Sequence, residues 1–485
     1  MPGLHGPGWG FGRKARYRGG SKVDMSQNSQ GEVLTRTLKS RHVQMISIGG
    51  IIGAGLFVGS GAAIAAVGPA VIISYFVAGL MILFVMRMLS EMASANVGVG
   101  AFTEYARLGL GHWAGFVTGW LYWYFWVVVV AIEAIAGGGI ISQWIPLPVW
   151  QIGLMLMSLL TCVNLMSTRT YGEFEFWLSS IKVAAIIAFI TLGLASLLGL
   201  HAAPDVGLAN LVSHGGFAPK GVAAVLSGVT TVIFALCGAE IATIAAVESR
   251  EPTQVISRLT FTIVIRILLF YVLSVSIILC IVPWNEVKPG LSPFALALER
   301  LAIPGASLLM NFVVLTAVLS ALNSAVYVTS RVLFVLAAQG DAPKSVVRLS
   351  PRRVPTRAIL IGSSFGFVAV IASEVSPTRV FAFLVDASGA LMLMIYLLVA
   401  LAQLRMRREL EATDPGRLVI RMWGFPWLTW LVIAAIVVTL LSMLWQRGSA
   451  NELYSSLICL GVVVVACVIR MRRGIARLNL PEVSS

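Results

Sequence analysis

Charge is scarce in this sequence. Asp, Glu, Lys and Arg make up 12% of its 485 residues, where soluble domains carry roughly a quarter. With 58% hydrophobic residues, that shortage excludes an ordinary soluble globule. Cysteine is scarce as well: Cys162, Cys237, Cys280, Cys459 and Cys467 all lie in apolar runs with no extracellular mate, which argues against a disulfide framework. The five histidines show no metal-ligand spacing, and nothing resembles H-x-x-x-H. No nucleophile constellation or filter motif is present, so an enzyme or a channel is disfavoured and no cofactor is expected. Residues 1–24, MPGLHGPGWGFGRKARYRGGSKVD, lack the apolar segment of a signal peptide. The expectation is a native start at Met25; a basic arm lying on the membrane is the alternative.

What is abundant is apolar sequence in long runs. A membrane helix needs roughly 20 mostly apolar residues, and on that basis the chain reads as about twelve spans. They lie near 44–66, 69–88, 115–140, 149–167, 177–199, 221–247, 261–283, 305–331, 358–373, 380–403, 423–444 and 453–470. The expected fold class is therefore an all-α polytopic membrane protein. A cytoplasmic, disordered N-terminal tail (1–40) and a cytoplasmic C-terminal tail (473–485) would flank one transporter domain (41–472).

The net charge of +14 raises the question of nucleic acid, but its placement answers otherwise. With the N-terminus inside, about 30 of the 35 Lys and Arg fall on the inner side. Lys39, Arg41, Arg169, Arg258, Lys344, Arg352, Arg405, Arg407 and Arg472 are examples. The outer loops keep only Lys220, Lys288, Arg300, Arg379 and Arg447. This asymmetry puts both termini in the cytoplasm, with anionic lipid rather than nucleic acid as the partner of the excess charge. Arg87, Arg266 and Arg331 lie near inner helix ends, where snorkelling is the default expectation. The outer loops 200–220 and 284–304 are too small for a domain, and the longest inner loop lies near 338–357.

Two spans are weakened at mid-depth. The first contains GGIIGAGLF (Gly49 to Phe57), and each glycine costs a helix interior roughly 1 kcal/mol relative to alanine. The sixth contains FALCGAEIATIAAVES (Phe234 to Ser249), with Glu240 shortly after Gly238. Paired interruptions at corresponding places in two halves point to a transporter site built on inverted repeats. A broken helix offers unpaired N–H groups to anions and unpaired carbonyls to cations, and such backbone is tolerated at this depth only where it lines a cavity. A substrate with both a carboxylate and an amine suits the arrangement. Close helix packing is the competing account of the glycines.

Glu133, Lys182 and Glu240 lie deep enough to need explanation, since a charge at the bilayer centre costs at least about 2.5–3.5 kcal/mol. Tyr122, Trp126 and Glu133 share one face of the third span, as a pocket for a short chain with a terminal ammonium would require. A protonated Glu133 bonded to a neighbouring helix is the alternative. Lys182 is either a snorkelling side chain or a desolvated amine suited to carrying a proton. Glu240 has three readings: substrate contact, proton carrier, or cap of the broken helix. Ser320, Asn323 and Ser324 in SALNSAVYVTSR serve either the ligand or helix–helix hydrogen bonding.

Together these residues resemble the amino acid–polyamine–organocation superfamily, and within it the bacterial amino acid permeases. The landmarks are LKSRHVQMISIGGIIGAGLFVGSG, GPAVIISY, GWLYWYFW, YGEFEFWLSSIKV, GAEIATIAAVES, LNSA, GDAP and RMWGFPWLTWL, in order over roughly residues 36 to 470. GWLYWYFW, VAIEAIAG and NLMSTRTYGEFEFW most resemble the gamma-aminobutyrate permeases. The chain departs from these at Ala321, where they carry cysteine, and at Leu236–Cys237, where they favour a Phe/Met pair.

The resemblance implies twelve helices, the first ten in a five-plus-five inverted repeat with helices one and six broken, and coupling to protons rather than sodium. By position, Gly53, Ala54 and Gly55 would receive the substrate carboxylate. Carbonyls around Phe234, Ala235 and Cys237, beside Gly238, would bind an alpha-amine, and Phe234 would be the aromatic gate. Lys182 matches a lysine implicated in proton coupling. Glu133 would lie at the far end of the pocket and pair with the terminal ammonium of an omega-amino acid. The expected function is proton-coupled import of gamma-aminobutyrate or a related small amino acid across a bacterial inner membrane, driven by the proton gradient without a cofactor. An exchanger on the same fold and a permease-like sensor are the alternatives.

Overall fold

Lipid offers no water to a backbone, so an apolar run must close its own hydrogen bonds, and a helix does so within one segment. The computed structural model describes residues 51–96, 102–166, 168–200, 206–238, 240, 268–347, 350, 354–445 and 449–478, and every regular element among them is helical. Contacts divide the chain after Leu34, and all described residues belong to the second unit, Thr35–Ser485. The expected tail 1–40 lies outside the described residues. So do the start of the first span, the second half of the sixth beyond Glu240, and Arg266.

The helices are α1 (Ser60–Val67), α2 (Val71–Ala95), α3 (Phe102–Leu110), α4 (His112–Ile141), α5 (Val149–Asn164), α6 (Thr168–Leu197) and α7 (Gly221–Leu236). After them come α8 (Leu268–Ile281), α9 (Pro293–Arg300), α10 (Ala306–Ala338), α11 (Thr356–Ala372), α12 (Pro377–Thr413), α13 (Trp427–Ser442) and α14 (Ser449–Leu478). Six are long and apolar enough to cross a membrane: α2, α4, α10, α12, and the stretches Phe176–Leu197 of α6 and Ala450–Arg472 of α14. Six shorter apolar helices accompany them, α1 with its preceding turn and α5, α7, α8, α11 and α13. In order and position the twelve match the expected spans. Two of the short ones have a physical reason to be short: the helical stretch that leads into α1 starts, and α7 stops, where the chain breaks.

The apolar helix α4 is buried along most of its length and packs against α3, α5, α10, α11, α12 and α14. Helix α2 packs on α7, and α12 on α3 and α7. Two short helices lie where only loops are expected. Helix α3 is amphipathic and lays its apolar face on α4 and α12. Helix α9 begins with Pro293, a residue whose missing N–H costs nothing at a first helical position.

The expected snorkelling of Arg331 is overturned. Helix α10 runs on to Ala338, and Arg331 is 4% exposed with its guanidinium 4.3 Å from the centre of the Tyr327 ring. Helix α12 likewise continues about ten residues past the expected end at 403, carrying Arg407 into a buried ion pair with Glu91.

Candidate functional site

Both expected interruptions are present. Ile51 is helical, Ile52 and Gly53 are bends, and a new helix starts at Ala54, passes through a π-turn at Gly55–Gly59 and continues as α1. In the sixth span α7 ends at Leu236, Cys237 is extended (φ −64°, ψ 151°) and Gly238 has φ +116°, a conformation that glycine adopts without steric cost.

A break frees backbone groups, and inside a bundle each needs a partner. The Ile51 carbonyl accepts from the Tyr271 hydroxyl at 3.0 Å. The Ala54 N–H donates to both carboxyl oxygens of Glu133, each at 3.0 Å. The Gly238 N–H donates to both carboxyl oxygens of Glu240, at 3.2 and 3.1 Å. Glu240 is further clasped by two hydroxyls, Tyr122 at 3.4 Å and Tyr396 at 3.3 Å. Each break thus carries a glutamate on its N–H, and both side chains are buried, Glu133 3% and Glu240 0% exposed.

This corrects the expected position of Glu133. Its carboxyl group sits at the first break itself, not at the far end of a pocket, because α4 runs beside the break and aims the side chain at the Ala54 N–H. The aromatic stripe is also divided. Tyr122 turns to the second break, Glu133 to the first, and Trp126 lies between them with its ring 6.1 Å from Tyr122. Eleven residues apart on one helix, Tyr122 and Glu133 lie about 16 Å apart along its axis, so α4 touches both breaks.

The glycines of the first break are sites of close approach. A Cβ at Gly53 would lie 2.6 Å from both Ala321 Cβ and Glu133 Oε1, and one at Gly55 would lie 2.6 Å from Ala235 Cα. Gly55 therefore packs flat on α7, bringing the two interrupted spans together. Phe234 is buried, and its carbonyl accepts the Cys237 N–H at 3.3 Å.

Lys182 does not snorkel. It is 0% exposed, and its Nζ donates to Ser320 Oγ of α10 at 2.8 Å. Its charge also lies within electrostatic reach of Glu133. Asn323 accepts from Asn164 Nδ2 of α5 at 2.7 Å, a helix–helix bond, and Ser324 is fully buried one residue further on.

Several polar residues of the bundle escape the sequence reading. Tyr396 and Tyr271 are 156 and 220 residues from their partners, and no local pattern signals them. Asp386 does carry a signal, a carboxylate within the apolar run 380–403; Thr231 Oγ1 of α7 donates to its Oδ1 at 2.5 Å. Two cavities of about 550 and 390 Å³ flank Lys288 and Leu291 in the segment before α9, next to the end of α4 at Gly139 and Ser142.

The family model described as amino acid permease matches residues 42–480. The gamma-aminobutyric acid permease of Bacillus subtilis is 46% identical over 93% of this chain and 96% of its own length. The gamma-aminobutyric acid permease of Escherichia coli is 44% identical over 90% and 95%. An aromatic amino acid transport protein of Corynebacterium glutamicum is 38% identical over 91% and 96%. A crystal structure of a mutant manganese transporter from Eremococcus coleocola superposes with TM-score 0.56 at 12% identity, covering 90% of this chain and 94% of that one, a likeness of fold alone.

Proposed function

The chain belongs to the amino acid permease family, and from that premise we propose that it is a proton-coupled symporter importing gamma-aminobutyrate or a closely related small amino acid by alternating access. The observation that carries the reading is the carboxyl group of Glu133 on the Ala54 N–H. It marks the break as a point that accepts an anion deep among helices, and it sets an acidic side chain where an ammonium group needs one.

In this reading the substrate carboxylate is received by the N–H groups at Gly53, Ala54 and Gly55. The terminal ammonium pairs with Glu133, and carbonyls around Phe234, Ala235 and Cys237 would bind an alpha-amine. Phe234, buried against the break, covers the site. Lys182 and Glu240 are the proton-coupling groups, each fully buried and each bonded to a neighbouring helix. The protein would lie in a bacterial inner membrane with both termini cytoplasmic, the arrangement favoured by its Lys and Arg distribution. Its work is translocation, with the proton gradient as the driving force.

The test is uptake of labelled gamma-aminobutyrate into proteoliposomes under an imposed inward proton gradient without sodium. Accumulation that a protonophore abolishes is the expected result. Flux seen only when amino acid is preloaded inside would assign the protein to exchange instead.

A further inference from the structure

We propose that Glu133 is the resident occupant of the anion site at the first break, and that substrate binding is an exchange of carboxylates on the Ala54 N–H. This deepens the functional reading above and rests on it for the identity of the substrate.

Four observations support the exchange. Both carboxyl oxygens of Glu133 lie 3.0 Å from one backbone N–H, the position a substrate carboxylate would need. The helix beginning there runs from Ala54 to Val67, long enough for its N-terminal partial charge to favour an anion. The seat is shaped for a carboxyl group: a Cβ at Gly53 would come within 2.6 Å of Glu133 Oε1, and Ala321 closes its other side. Glu133 is 3% exposed, so it must leave one partner to find another.

The consequence is selection for molecules with both charges. An amine alone finds Glu133 already engaged with the Ala54 N–H. A carboxylate alone would have to displace Glu133 from its hydrogen-bond donor and leave it buried with only the charge of Lys182 in electrostatic reach, which is costly. A small amino acid supplies both halves at once: its carboxylate takes the N–H, and its ammonium receives the released Glu133. The same side chain thus guards the anion site when empty and binds the cation when full. No bond is made or broken beyond hydrogen bonds and ion pairs.

Competition against labelled gamma-aminobutyrate uptake tests this with butyrate and n-butylamine, the two halves of the substrate. For the wild type neither should compete at concentrations far above those of the substrate. In Glu133→Leu, direct binding of labelled butyrate to purified protein should strengthen about tenfold or more over the wild type, because leucine offers the Ala54 N–H no acceptor and a hydrogen bond to a charged group contributes on that scale. Butyrate binding unchanged between wild type and Glu133→Leu would overturn the proposal and leave Glu133 as an ammonium ligand only. A second measurement needs no transport. Acetate should raise the melting temperature of purified Glu133→Ala by refilling the seat, and should leave that of the wild type unmoved. Equal responses would also overturn the exchange. If the wild type takes up no gamma-aminobutyrate, the functional reading fails while the acetate experiment still decides the occupancy.

Discussion

At Gly55 the packing account of the glycine-rich stretch rests on one distance. A methyl group there would meet the Ala235 backbone at 2.6 Å, whereas at Gly59 it would meet only the Ala54 carbonyl, at 3.5 Å. Gly55→Ala is therefore expected to destabilise by about 1–3 kcal/mol through overpacking, while Gly59→Ala should be tolerated. Melting of the two variants in detergent checks this; equal behaviour would mean that the approach of the two broken spans is not constrained at Gly55. Tyr396 gives a second test at this scale. Tyr396→Phe removes one donor to Glu240 and should lower both melting temperature and uptake, whereas Tyr454→Phe, at a 54% exposed position, should change neither. Indistinguishable variants would remove Tyr396 from the clasp. Glu133 and Glu240 were legible as sites because a carboxylate in an apolar run announces its own cost. Their pairings were not: Tyr122 stood out only as a neighbour of Glu133 and Tyr396 not at all, because a tyrosine in an apolar run carries no comparable penalty and contacts across 118 and 156 residues leave no local pattern.

At the scale of elements, the misplaced boundaries share one cause. A hydropathy reading stops a span where charges accumulate, so 69–88 ends between Arg87 and Glu91, and 380–403 ends before Arg405, Arg407 and Arg408. In the structure Glu91 and Arg407 answer each other. Glu91 accepts from Arg407 Nη1, from the Met422 N–H and, at 2.7 Å, from Gln403 Nε2. Arg407 lies 5.0 Å from the Phe425 ring centre, and Thr429 donates to Gln403 Oε1 at 3.2 Å. Both helices can continue because the pair is buried together, and the network fixes α2, α12 and the start of α13 to one another. Removing one partner strands a buried charge, so Glu91→Leu and Arg407→Met should each destabilise by about 3–5 kcal/mol. The double variant should recover a large part of that loss, since neither charge is then unpaired. Additive losses in the double variant, read from melting curves, would show that the two side chains act independently. The twelve spans themselves were readable because each is a long apolar run. Helices α3 and α9 were not, because each is too short and too polar to stand out from a loop.

For the whole molecule, the question is how an event at one break reaches the rest of the bundle. Helix α4 holds the first break through Glu133 and the second through the Tyr122–Glu240 contact, so one rigid element reports on both. Lys182 ties α6 to α10 at Ser320, one residue from the Ala321 that walls the first break. Under the proposed proton coupling, a charge placed there, fully buried and within electrostatic reach of Glu133, would link proton occupancy to the state of the anion seat. Coupling and binding should then separate on mutation. Lys182→Met keeps much of the side chain's volume and removes its charge. It is expected to retain gamma-aminobutyrate binding within a fewfold while losing accumulation driven by an imposed pH gradient. Binding by purified protein and uptake into proteoliposomes measure the two properties independently. Proton-driven accumulation that survives the substitution would make Lys182 a buried strut between two helices, and the search for the coupling group would move to Glu240. Loss of binding together with accumulation would instead make the lysine part of the seat, joining Glu133 and Ala54 as a determinant of what the site accepts.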